Sequence, residues 1–209
     1  PSCDGPFSKR SADMQNQSLG VLGGMGPMAT VDFLKKLTEK TPANCDQEHI
    51  PIVLYGDCTV PDRTAFAKGE GPSPLPKLFE GIEMLCRSGV TAIAVPCNSA
   101  HCWYAELANR SSVPVLNIVR ASAKAVLQND PLTKRVGVLS TEGTHKMGIY
   151  RNALIQMGFQ VIEPTVEEFR DLVSPGIKEV KAGSISCSED FFELAARKLF
   201  ERGAEQIIL

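Results

Sequence analysis

Short apolar runs rich in branched residues recur along the chain, and most are followed by a stretch long enough for a helix. They are LGVL at 19–22, IPIVLY at 50–55, TAIAV at 91–95, VPVLNI at 113–118, RVGVL at 135–139, FQVI at 159–162 and EQIIL at 205–209. Runs of this length bounded by turn formers predict strands. Between most of them the apolar positions return with a helical period. Leu75, Leu78, Phe79, Ile82 and Leu85 fall on one helix face, and Phe192, Ala196 and Leu199 form a similar stripe ahead of ERGA. Apolar strands alternating with amphipathic helices predict an α/β fold of parallel sheets flanked by helices, because such strands must be covered on both faces.

The pattern also repeats. LGVLGGMGP at 19–27 answers VGVLSTEGT at 136–144, each an apolar run entering a turn of small residues before a helix. SGVTAIAV, ending at Val95, lines up with RGAEQIIL, ending at Leu209, and an amphipathic helix precedes both. The repeat predicts two related α/β lobes, residues 19–118 and 119–209. Residues 1–18 are polar and aperiodic and are expected to form a disordered arm outside the fold.

Composition narrows the class. A chain of 209 residues, 43% hydrophobic and 22% charged, can bury a sizeable core. The formal net charge is −2 and the Lys and Arg residues are dispersed, which argues against a nucleic-acid or anionic-membrane partner and for a small-molecule ligand. No apolar run approaches the roughly 20 residues that span a bilayer, and no secretory pattern opens the chain, so a cytoplasmic location is expected. The seven cysteines are scattered and odd in number, which predicts free thiols. Cys97, His101 and Cys102 are the nearest approach to a metal set, and their spacing supplies no fourth ligand, so no metal is expected.

In open parallel sheets ligands gather beyond the carboxyl ends of the strands, which directs attention to 23–30, 56–64, 96–102 and 140–145. Gly24-Met25-Gly26-Pro27-Met28-Ala29 fits the dinucleotide pattern G-x-G-x-x-A. The acidic residue that should end the next strand is misplaced, since Asp46 and Glu48 precede that strand and Asp57 comes late. A tight turn whose backbone N–H groups hold a carboxylate fits better. AVPCNSAHCWY places Cys97 after a buried strand and at or just before a helix start, where unpaired N–H groups favour a thiolate. Arg63 in PDRTA offers a fork for a carboxylate, with Asp62 as its alternative partner. Lys178 and Lys181 lie near a turn, and His101 suits either proton transfer or packing.

Taken together and in this order, GVLGGMGPMAT, PDRT, PCNSAH, LSTEGT and KAG resemble the aspartate/glutamate racemase superfamily of cofactor-independent amino-acid racemases, from about residue 19 to the last. That resemblance implies two pseudo-symmetric lobes with the active site between them, no cofactor, and frequent homodimers. It also implies two cysteines on opposite faces of the substrate α-carbon, one removing the α-proton and the other returning one. Cys97 matches the first cysteine. Asn98 and Ser99 would orient the substrate or its carbanion, with Ser99 standing where the family usually has Thr. Arg63 and Lys181 would clamp two carboxylates, favouring aspartate or glutamate. Thr141 and Thr144, with the backbone of Gly24 and Met25, would hold the amino and α-carboxylate groups. The second cysteine belongs to a GCTE motif that the repeat places two positions past Leu209, so the second lobe is expected to be truncated. A one-thiol relative of the decarboxylase or maleate isomerase type, or a non-catalytic carboxylate binder, is the alternative.

Overall fold

The computed structural model describes residues 17–209. Residues 1–16 of the expected arm lie outside the described residues. Ser18, also assigned to that arm, belongs to the fold, because its carbonyl accepts the Thr91 N–H at 2.9 Å and its own N–H reaches Thr91 Oγ1 at 3.0 Å.

In chain order the elements are β1 (Leu19–Gly23), α1 (Pro27–Lys40), β2 (Ile52–Gly56), α2 (Arg63–Lys68), α3 (Leu75–Arg87) and β3 (Ala92–Ala94). A 3-10 turn (Ser99–Trp103) then leads into α4 (Tyr104–Arg110), α5 (Ile118–Asn129), β4 (Arg135–Val138), α6 (Glu142–Lys146), α7 (Ile149–Gln156) and β5 (Gln160–Ile162). Helix α8 (Val166–Glu168) passes through a π-helical turn (Phe169–Val173) into α9 (Ser174–Ala182), followed by α10 (Ile185–Glu201) and β6 (Gln206–Ile208).

The strands form two parallel three-stranded sheets, ordered β2-β1-β3 and β5-β4-β6. The predicted α/β class is therefore observed, and the repeat reaches the level of register. Val21 pairs with Ala94 in the first sheet and Val138 with Ile208 in the second, and these are the positions that the sequence repeat equates. The hydrogen bond from Thr91 N–H to Ser18 is answered by one from Glu205 N–H to Arg135 at 2.9 Å.

Six of the seven apolar runs become strands. The exception is 113–118, which contributes only an isolated parallel bridge from Val115 to Ile93. Pro114 has no N–H to extend a ladder, and the Asn117 side chain instead accepts from Arg120 N–H at 2.9 Å, capping α5.

Two compact units result. One comprises the described residues up to Val60 with Leu75–Pro96 and Ala105–Leu116, and the other Pro61–Pro74, Cys97–Tyr104 and Asn117–Leu209. Segments 61–74 and 97–104 thus group with the second unit, although they follow strands of the first in the chain. In the first unit Leu22, Leu78, Ile82, Leu85 and Ile93 are fully buried, as the α3 stripe predicts. In the second, one cluster gathers Val136, Val138, Leu154 and Phe159 under α5 and α7, and another gathers Val173, Ala195 and Leu199 under α9 and α10. Each Val, Leu, Ile or Phe among them contributes about 1.5–3 kcal/mol by leaving water. Among the described residues no helix is long and apolar enough to cross a membrane.

The opening glycine turn is shaped by packing. Gly24 has φ +90°, and a Cβ there would stand 2.5 Å from the Asp57 backbone. Its N–H already donates to Thr30 Oγ1 at 2.9 Å, and the Thr30 hydroxyl donates in turn to the Gly26 carbonyl. Pro27 then opens α1, where no N–H is needed. Both backbone strain and collision oppose a side chain at position 24, so Gly24→Ala should lower the unfolding free energy by about 1–3 kcal/mol, read as a reduced urea midpoint at unchanged slope.

Candidate active site

Cys97 follows β3 by three residues and is buried, with Sγ 3.8 Å from the hydroxyl of buried Ser99. The helical segment after it begins as a five-residue 3-10 turn and runs directly into α4, so Cys97 stands just before a helix start. The turn is held by His101. Its Nδ1 lies 2.9 Å from the Cys97 carbonyl, and its Nε2 accepts the Ile118 N–H at 3.2 Å. Because Nε2 is an acceptor, the proton sits on Nδ1 and donates to the carbonyl. Both ring nitrogens of this buried imidazole are therefore occupied, and of the two roles open to His101 from sequence it takes packing. That use also removes it from a Cys97–His101–Cys102 ligand set. Among the described residues no group of three His, Cys, Asp or Glu side chains could hold a metal ion.

Asn98 stands at the head of the 3-10 turn with helical dihedrals (φ −57°, ψ −50°), and its side chain makes no capping bond. Its Oδ1 instead accepts from the Tyr150 hydroxyl at 2.7 Å. Tyr150 is 3% exposed and sits in the cluster of Val136, Val138 and Leu154, with Ser122 Oγ 3.5 Å from its oxygen. Burial pushes the phenol above its ordinary value of 10.0, an effect partly offset by Ser122, so Tyr150 stays un-ionised and able to donate. Nothing in GIYRNAL marks this tyrosine, because one aromatic on a helix reads as core.

Arg63 opens α2, a helix capped by Asp62, whose carboxylate accepts from Thr64 N–H and Ala65 N–H at 2.8 Å each. Arg63 is half-buried, and its Nη1 donates to the Pro61 carbonyl at 2.9 Å. Three contacts hold α2 within the second unit. A Cβ on Gly143 would lie 2.8 Å from Thr64 Cα, so the glycine permits α2 and α6 to touch. Lys68 pairs with Glu142 at 2.6 Å, and Phe66 meets Trp103 of the 3-10 turn at 5.4 Å between ring centroids. Helices α2, α6 and α7 all pack against the turn that follows Cys97.

Thr141 caps α6. Its Oγ1 accepts from Thr144 N–H at 3.2 Å and lies 3.0 Å from Thr144 Oγ1, with Thr144 1% exposed. Lys181 lies in the last turn of α9, a helix closed by left-handed Gly183, rather than on a loop. It is exposed, with Nζ 3.5 Å from Asp62 Oδ2. The sequence-derived residues Arg63, Cys97, Asn98, Ser99, Thr141, Thr144 and Lys181 therefore share the second unit, whereas Gly24 and Met25 belong to the first.

Two parallel α/β units that share strand order and register, the second bearing a buried thiol on a turn against which the arginine helix packs, define a class of duplicated α/β proteins. Within it, the chain belongs to the Asp/Glu/hydantoin racemase family, whose pattern it matches over residues 22–209. It is 33% identical over 151 residues to the broad specificity amino-acid racemase RacX of Bacillus subtilis, a match that covers 69% of this chain and 63% of that protein's length. The structure is similar to that of Picrophilus torridus aspartate racemase, with a TM-score of 0.82 and 30% identity over 92% of this chain and 80% of that one. An aspartate racemase homologue from Pyrococcus horikoshii shares the fold at 23% identity and a TM-score of 0.71, over 92% of this chain and 84% of that one.

Asp62 yields a pH prediction. Burial raises its pKa, but the bonds from Ala65 and Thr64 and the charges of Lys181 and Arg63 outweigh that and leave it below the ordinary 3.8. A lowered folded-state value means stabilisation that is complete above the unfolded pKa and disappears as pH falls through the folded one. Asp62→Ala should therefore lower the unfolding free energy at neutral pH by about 0.5–2 kcal/mol. That deficit should shrink as urea titrations are taken from about pH 5 toward pH 2.

Proposed function

We propose that this protein racemises an acidic amino acid, aspartate or glutamate, by proton transfer at Cys97 without a cofactor. The observation that carries the reading is a buried thiol flanked by an amide and a hydroxyl, on a turn that packs against the arginine helix, in a chain of this family. The Cys97 thiolate takes the α-proton and becomes a thiol, leaving the electron pair on the α-carbon and its carboxylate. An α-proton is a very weak acid, so fixed donors at the carboxylate must stabilise that charge. Asn98 and Ser99 supply such donors, and Thr141 and Thr144 serve the polar groups of the substrate.

Arg63 and Lys181 serve the two carboxylates. They flank Asp62, which holds the arginine helix and pairs with the lysine, so two cations stand next to one carboxylate that a dicarboxylic substrate can partly replace. Return of a proton from Cys97 gives exchange without inversion, and return from a second thiol on the opposite face gives racemisation.

Proton NMR in D₂O tests the reading. Incubation with D- or L-aspartate or glutamate should erase an α-proton signal, and Cys97→Ala should slow that exchange by about 10²–10⁴-fold, the usual contribution of a general base. Absence of exchange with all four would overturn it. Arg63→Ala should raise KM for the dicarboxylate by about 10–100-fold, as loss of a charged hydrogen bond worth roughly 1.5–3 kcal/mol. Arg63→Lys should rescue this only in part, since an ammonium lacks the planar fork.

A further inference from the structure

We propose that Tyr150 is a positioning residue that sets which end of the Asn98 amide faces the reacting carboxylate. The inference rests on the racemase reading and extends it to a residue outside the motif segments. Three observations carry it. Asn98 has helical dihedrals and makes no capping bond, so its side-chain oxygen is not spent on the turn's own N–H groups. That oxygen is instead bound by a phenol at 2.7 Å, a donor fixed in the apolar cluster of the second unit. Among the described residues the other end of the amide, Nδ2, makes no hydrogen bond to the protein.

The consequence is chemical. With Oδ1 occupied, the amide has only N–H groups left to offer beside the thiol. Deprotonation at the α-carbon pushes negative charge onto carboxylate oxygens, which need donors. An amide free to turn over would present its oxygen half of the time, and that end repels the developing charge. A core position needs no hydroxyl for packing, and phenylalanine would fill this cluster equally well. The Tyr150 hydroxyl therefore acts through Asn98, and its effect belongs to the step in which charge develops rather than to binding.

The test is a double-mutant cycle on the full chain, read as α-proton exchange in D₂O with the substrate that the wild type accepts. Tyr150→Phe should lower kcat about 3–10-fold with KM little changed, and should cause no further loss in an Asn98→Ala background. The Asn98 side-chain amide resonances, assigned by their absence in Asn98→Ala, should shift in Tyr150→Phe. An unchanged kcat in Tyr150→Phe, or an equal loss in both backgrounds, would overturn the proposal while leaving the racemase reading intact. A wild type without exchange would remove that reading, and the positioning role of Tyr150 with it.

Discussion

The geometry around the thiol depends on one buried imidazole. His101 joins the Cys97 carbonyl to the first amide of α5, using both ring nitrogens. Chain leaving a parallel strand exposes carbonyl and N–H groups that burial forbids to stay unpaired. His101 pairs one of each across a turn too short to do so itself. The thiol, the Asn98 amide and the Ser99 hydroxyl are carried on backbone that this ring holds, and three helices pack against it. Loss of His101 would leave a buried carbonyl and a part-buried N–H unsatisfied together, a larger cost than loss of either partner in an exposed pair.

The second unit gathers its candidate site residues from chain segments that lie far apart. Arg63 and Cys97 follow strands of the first sheet, yet the segments that bear them fold against α6 and α7. Small residues and caps make this possible. Gly143 lets α2 approach α6, Asp62 closes the start of α2, and Thr141 closes the start of α6. Each of these residues looks like ordinary turn chemistry by itself. Their shared effect is to hold a guanidinium, a thiol and a pair of hydroxyls on one body, a necessity for any reaction whose charge must be met by groups already in place.

The periodic features were legible in the chain. Six strands, the α3 stripe and the internal repeat follow from hydrophobic spacing, because burial acts on every residue of a regular element at once. The run at 113–118 misled for a local reason: Pro114 and Asn117 favour a bridge and a helix cap over a ladder. Cys97 and Arg63 stood out because they occupy strand ends within recognisable motifs. His101 was ambiguous, since the same side chain serves as base or as tie depending on which backbone atoms lie beside it. Tyr150 was invisible, since its meaning lies in a partner 52 positions away.

The amino-acid sequence by itself determined the α/β class and the duplication with its register, which rest on periodicity, and the family, which rests on motifs in a fixed order; it also singled out Cys97 as the candidate thiol. The tertiary structure alone decided which groups remain available for chemistry. It spent His101 on backbone, the Gly24 N–H on Thr30 and the Asn98 oxygen on Tyr150. Hydrogen-bonding capacity is consumed by whatever the fold brings within about 3 Å, and that proximity between distant positions is not written in any local stretch of the chain.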